Sequence, residues 1–175
     1  MALKSKIMKK TIIFCSLIIS FIGCTKVREN QIDFSFESGW DNDLAFSIKI
    51  EKSGKAFLAR NRRDRKYFQK QIGLKDLKKL DCYIDTLLVG HFESKYEVED
   101  VADLSSFCPI IQSKNGEKKI YVYGQTAPKE LYRFLDFMLK FRDDSTFIAI
   151  DSTILFKSAP IVWNLPYPIK PVDKQ

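Results

Sequence analysis

Cys24 is the residue whose neighbours most narrowly specify a reaction. It follows Gly23 and closes an apolar run, Thr11 to Ile22, that is itself preceded by Lys4, Lys6, Lys9 and Lys10. A basic stretch, a short apolar stretch and a small residue at a cleavable bond are the order of an export signal. The run falls short of the ~20 apolar residues that a membrane-spanning helix needs. The order therefore predicts a segment that is cleaved rather than retained, with an ordinary signal peptide carrying an incidental cysteine, or a short membrane anchor, as the other readings. Met8-Lys9-Lys10 offers a second, more compact start to the same signal.

Other reactive side chains are sparse. His91 is the only histidine, so imidazole chemistry near neutral pH would rest on it. Its place after Gly90, at the expected end of a helix, equally suits a ring that donates to free carbonyls. Glu93, Glu97, Glu99, Asp100 and Asp103 come next. Paired carboxylates perform glycoside hydrolysis when they flank a cleft ~5–10 Å across, so a cell-wall or glycan hydrolase is one reading and a solvated acidic loop the other. The regular spacing and central glycine of a calcium-binding EF-hand are absent. Cys82, Cys108 and one histidine fall short of the four converging ligands zinc takes. An oxidising compartment would permit Cys82 and Cys108 to pair, but nothing in their spacing favours it. No glycine-rich phosphate cradle or nucleophile elbow occurs. No catalytic residue, metal or cofactor is assigned, and the chain is read as a non-enzyme.

Two features could bind rather than react. Arg60, Arg62, Arg63 and Arg65, with Lys66, form the densest charge cluster, broken by Asn61 and Asp64. It reads either as a solvated loop or as an anion-facing patch for lipid headgroups or an acidic partner. Trp40 stands in the loop Ser38-Gly39-Trp40-Asp41-Asn42-Asp43, where an indole is suited to enter a partner's pocket. Burial in the core is the other reading, for Trp40 as for Trp163 and Tyr167. The signal holds four of the 29 basic residues and none of the 22 acidic ones, so processing removes most of the formal charge of +7. Too little remains for a nucleic-acid face.

The elements that position these residues follow from periodicity. Removing residues 1–23 leaves roughly 150 residues, enough for one domain with a real core. Residues 24–31 read as the cysteine and a polar tether, 32–158 as the domain and 159–175 as a proline-rich tail that favours extended chain. Ile32, Phe34 and Phe36, then Leu44, Phe46, Ile48 and Ile50, alternate as strands do, and a third strand is expected from Ala56 to Arg60. Leu74, Leu77, Leu80, Ile84, Leu87 and Leu88 recur at helical spacing, with Gly90 placed for a left-handed helix end. Strands at Phe107–Ser113 and Lys119–Tyr123 flank Asn115-Gly116, a hairpin signal. Pro128 opens a second helix carrying Leu131, Phe134, Leu135 and Met138, and Phe147 to Phe156 gives one or two more strands. The expected fold is α+β: an antiparallel sheet of about five to seven strands with two helices on one face, in the order β-β-β-α-β-β-α-β, burying Leu77, Ile84, Phe134 and Met138.

Phe21-Ile22-Gly23-Cys24 resembles the lipobox of bacterial lipoproteins. That resemblance implies diacylglycerol on Cys24 and a domain held at the inner or outer membrane of a bacterial cell envelope, facing the periplasm. Ile48-Lys49-Ile50-Glu51-Lys52-Ser53-Gly54, Lys114-Asn115-Gly116-Glu117-Lys118-Lys119 and Pro128-Lys129-Glu130-Leu131, in this order, resemble an uncharacterised lipoprotein domain common in Bacteroidota. It implies an architecture and a compartment, and no catalytic residue. The expected function is a non-enzymatic module that binds an envelope protein or a glycan. An inhibitor or immunity protein against an envelope-acting toxin is the alternative.

Overall fold

The computed structural model describes residues 28–41, 44–62 and 64–163. Cys24, Arg63 and Tyr167 lie outside the described residues. Nine strands run as β1 (Gln31–Glu37), β2 (Phe46–Ile50), β3 (Lys55–Arg60), β4 (Lys66–Gln71), β5 (Lys95–Glu97), β6 (Ser106–Ser113), β7 (Gly116–Lys119), β8 (Tyr121–Tyr123) and β9 (Ile148–Ile150). Helix α1 (Leu74–Val89) follows β4, α2 (Lys129–Arg142) follows β8, and a short α3 (Ala159–Trp163) comes last. The strands form one sheet in the order β5-β8-β6-β1-β2-β3-β4-β9, with β7 on β6. All pairs are antiparallel except β5 with β8. The α+β class stands. The sheet is larger than the five to seven strands expected, and the described residues hold three helices rather than two.

Alternation places the core as expected. Ile32, Phe34 and Phe36 of β1, Phe46, Ile48 and Ile50 of β2, and Phe107 and Ile111 of β6 face a cluster that includes Leu80, Ile84 and Leu87 of α1 and Leu131, Phe134 and Met138 of α2. Phe34 sits at its centre, with ring centroids 5.8 Å from Phe46, 6.2 Å from Phe107 and 5.6 Å from Phe134. Ile84, Phe134 and Met138 are fully buried and Leu77 partly so. Leu74, the first member of the apolar stripe, is instead 77% exposed.

Local details depart from the sequence reading. Gly90 ends α1 in extended geometry, φ −65 and ψ 145, rather than left-handed. The hairpin forms one residue early: Ser113 pairs with Gly116, so Lys114-Asn115 is the turn, and Gly116 alone takes the positive φ, 119, that glycine tolerates. The single strand expected at 119–123 is split at Ile120, whose N–H donates to Pro109 O at 3.1 Å. Pro109 lies within β6 and has no N–H to continue the ladder. β4 went unread because one of its inward positions is Lys70, a buried residue that breaks the apolar alternation.

The opposite face of the sheet is also covered. Ala45, Ala59, Cys108 and Ile110 pack against Phe156, Ala159, Val162 and Trp163. Ala159–Trp163, which composition placed in an extended tail, form a helix because that sheet face is apolar enough to bury one side of it. The two thiols are free, with Cys82 exposed on α1 and Cys108 buried beneath α3. Among the described residues no helix is long and apolar enough to cross a membrane.

Candidate binding surface around Trp40

β1 ends at Glu37, and the chain turns through Ser38-Gly39-Trp40-Asp41. Ser38 Oγ accepts the Trp40 N–H at 3.4 Å. A Cβ on Gly39 would stand 1.9 Å from the carbonyl oxygen of Asp103, so the two loop backbones meet directly and only glycine permits the approach. The facing loop is itself held. Tyr123 Oη donates to Val101 O at 2.8 Å and accepts from Leu104 N at 3.4 Å, and Val98 N donates to Tyr123 O at 3.2 Å. Those bonds keep Asp100 and Asp103 at φ 59 and 60, a region costing a non-glycine residue on the order of 1–3 kcal/mol. On these facing loops Trp40 is 85% exposed, and Val101 and Leu44 are also exposed. Val98 to Asp103 carries Glu99, Asp100 and Asp103 and no basic residue.

The described arginines of the cluster, Arg60, Arg62 and Arg65, are engaged within the domain. Arg60 donates to Arg142 O, at the end of α2, at 2.8 Å and lies over the Phe68 ring. Arg62 pairs with Glu37 at 2.7 Å and donates to Trp163 O at 2.6 Å. Arg65 lies over the Trp163 ring at 5.0 Å. Helix ends leave carbonyls without partners, and Arg60 and Arg62 satisfy them. Trp163 is buried, its Nε1–H donating to Phe36 O at 3.2 Å. Two open grooves border the cluster, one of about 430 Å³ lined by Arg65 and Lys66 and one of about 380 Å³ between Arg60, Lys66 and Arg142; in the second, Arg142 is already bound by Asp143 at 2.8 and 3.1 Å.

His91 is exposed, and the helix-end role open to it is filled by Lys118, whose Nζ donates to Gly90 O at 2.8 Å. Glu97 pairs with Lys95, while Glu99, Asp100 and Asp103 are exposed. Among the described residues no three acidic, histidine or cysteine side chains converge to hold a cation.

One polar cluster escaped the sequence reading. Asp33, Ser35, Ser47 and Ser158 are all buried on the α3 face. Asp33 accepts Lys157 N at 2.9 Å, Ser158 N at 3.1 Å and the Ser158 hydroxyl, and Ser35 Oγ lies 2.7 Å from Ser158 Oγ and 2.5 Å from Ser47 Oγ. Burial raises the Asp33 carboxyl above its ordinary range against the pull of these bonds. A hydroxyl nucleophile needs a poised base and an open approach; here the hydroxyls are sealed by the segment they hold, so the cluster is a latch on the C-terminal chain. Its only trace in the sequence is the polar alternation of Asp33 and Ser35, which reads as a solvent face.

No protein-family model matches this chain, and no curated protein matches it either.

Proposed function

We propose that the protein is a lipid-anchored module of the bacterial cell envelope, acylated at Cys24, whose α+β domain binds a protein or glycan partner without catalysis. The observation that carries the reading is Trp40, an indole 85% exposed on a loop braced by Gly39 against Asp103. Exposed aromatic side chains on rigid backbone lose little conformational freedom on binding, and tryptophan is enriched among residues that dominate interface energy. The Gly23-Cys24 signal supports the anchor, and the engagement of Arg60, Arg62 and Arg65 within the domain makes Trp40 a better contact than those three arginines.

Affinity capture from detergent-solubilised membranes tests this, with wild type and Trp40→Ala side by side. Trp40→Ala leaves a folded domain, because the side chain packs against little, and weakens capture by about 2 kcal/mol or more, some thirtyfold in Kd. Equal capture of the same partner by both proteins would remove Trp40 from the interface. Turnover of a cell-wall substrate that is lost in Glu97→Gln would replace binding by hydrolysis.

A further inference from the structure

Arg28 and the candidate contact, Trp40, stand at opposite ends of β1. Cys24 precedes Arg28 by four residues, so its Cα lies at most about 14 Å from that of Arg28, whatever path the chain takes. Arg28 is fixed: its side chain is 8% exposed, its Nε meets Asp81 Oδ1 at 2.7 Å, and its NH1 donates to Glu51 O at 3.4 Å. This ties the start of the domain to α1 and to the β2–β3 turn. β1 then runs seven residues away from that end, about 20 Å at the rise of an extended strand, before the chain reaches Trp40.

The anchor end has its own surface chemistry. Leu74 at the start of α1 is 77% exposed, and it stands beside the β2–β3 turn, since Ile72 N donates to Gly54 O at 3.0 Å and the site of a Gly54 Cβ touches Leu77. Exposed Lys52 lies in that turn, exposed Lys75 and Lys78 in the first turns of α1, and exposed Lys114 in the β6–β7 turn, where it reaches Glu29 at 3.3 Å. Asp81 is matched to Arg28 and Glu29 to Lys114, leaving Glu51, Asp76 and Asp85 to offset part of the remaining lysine charge. The Trp40 end carries Glu99, Asp100 and Asp103, together with Arg60, Arg62, Arg65 and Lys66, of which Arg62 is paired with Glu37. An exposed leucine with lysines at the same end of the domain fits the boundary between anionic headgroups and acyl chains.

We infer that the Arg28 end of the domain seats on an anionic membrane surface, with Leu74 in the headgroup boundary and Lys52, Lys75, Lys78 and Lys114 at the same end, so that Trp40 points away from the bilayer. This rests on acylation of Cys24 as proposed above and adds a fixed orientation to it. The test uses the full-length acylated protein in vesicles of phosphatidylcholine with and without phosphatidylglycerol, each containing brominated lipid as a fluorescence quencher. Leu74→Trp is quenched severalfold more than wild type, whose Trp40 is remote and whose Trp163 is buried. The excess is larger with phosphatidylglycerol, falls in high salt, and is lost in Leu74→Trp combined with Lys52, Lys75, Lys78 and Lys114→Gln, which remains acylated and vesicle-bound. Quenching of Leu74→Trp no greater than wild type overturns the orientation, as does strong quenching of Trp40. Quenching indifferent to lipid charge and to the lysines overturns the electrostatic seat. Incorporation of radioactive palmitate separates the two levels: label without quenching sinks only the orientation, whereas absence of label sinks the anchor and the orientation with it.

Discussion

Lys70 shows what a charge inside this core requires. Its side chain is 5% exposed and meets Asp144 Oδ2 at 2.5 Å, with the Phe141 and Phe147 rings 4.0 and 4.8 Å away. The Lys70 hydrogen bond, with those from Thr146, holds the Asp144 carboxyl well below the usual carboxylate range. Unfolded, Asp144 takes up its proton near 3.8; folded, it does so at lower pH. Between the two values the unfolded chain binds more protons, so stability rises with pH there. The contribution is complete above the unfolded value and is lost as pH falls through the folded one. Asp144→Asn should lower the unfolding free energy in urea by about 1–2 kcal/mol near neutral pH, since the carboxylate is partly open to solvent. The deficit relative to wild type should shrink as the pH drops below 3.8. A deficit independent of pH would show that the pair acts through packing alone.

At the scale of elements, α3 is the piece whose removal should be felt furthest. It is held by Asp33 from below, by Arg62 at its last carbonyl and by Trp163 in the sheet, and it covers Cys108. Burial pushes the Cys108 thiol up to about 12, and only the thiolate alkylates at a useful rate. Iodoacetamide should therefore modify exposed Cys82 in the native protein and leave Cys108 untouched, as read by peptide mass spectrometry. Trp163→Ala should cost about 3–5 kcal/mol through the cavity it leaves and should bring Cys108 into reach of the reagent. Protection of Cys108 unchanged in that variant would mean that the cover over the sheet does not depend on α3.

At the scale of the whole molecule, the proposed anchor and the surface charge would make separable contributions to membrane association. One acyl chain binds bilayers only marginally, roughly 10⁴ M⁻¹, but each buried methylene adds about 0.8 kcal/mol, so the two or three chains of a lipoprotein should hold through a salt wash. Each lysine near an anionic leaflet contributes about 1 kcal/mol and is screened by salt. Cys24→Ala should lose palmitate label and move from the membrane fraction to soluble or unprocessed forms, while high salt leaves wild type in place. Release of wild type by salt would hand membrane association to the lysines and exclude the lipid.

The sequence by itself determined the elements whose signal is local. Ile32, Phe34 and Phe36 fix the inner face of β1, Ile48 and Ile50 that of β2, and the leucine and phenylalanine stripes fix α1 and α2, because a buried face imposes its own period on consecutive residues. It also marked Trp40 as a candidate contact. What it could not supply were the features that depend on residues far apart in the chain. β4 carries an inward lysine that is tolerable only beside Asp144, and β5 is three residues long and is a strand only because β8 pairs with it. The polar face of β1 is buried because Ser158, 125 residues beyond Asp33, closes over it, which also turns the start of an apparently extended tail into a helix. Nor does composition distinguish the two tryptophans: Trp163 is enclosed by a sheet face assembled from several strands, and Trp40 stays outside because Gly39 brings its loop onto Asp103 with the indole facing outward. Those choices belong to the tertiary structure, since burial is decided by which remote segment arrives to cover a side chain, and no local period records that arrival.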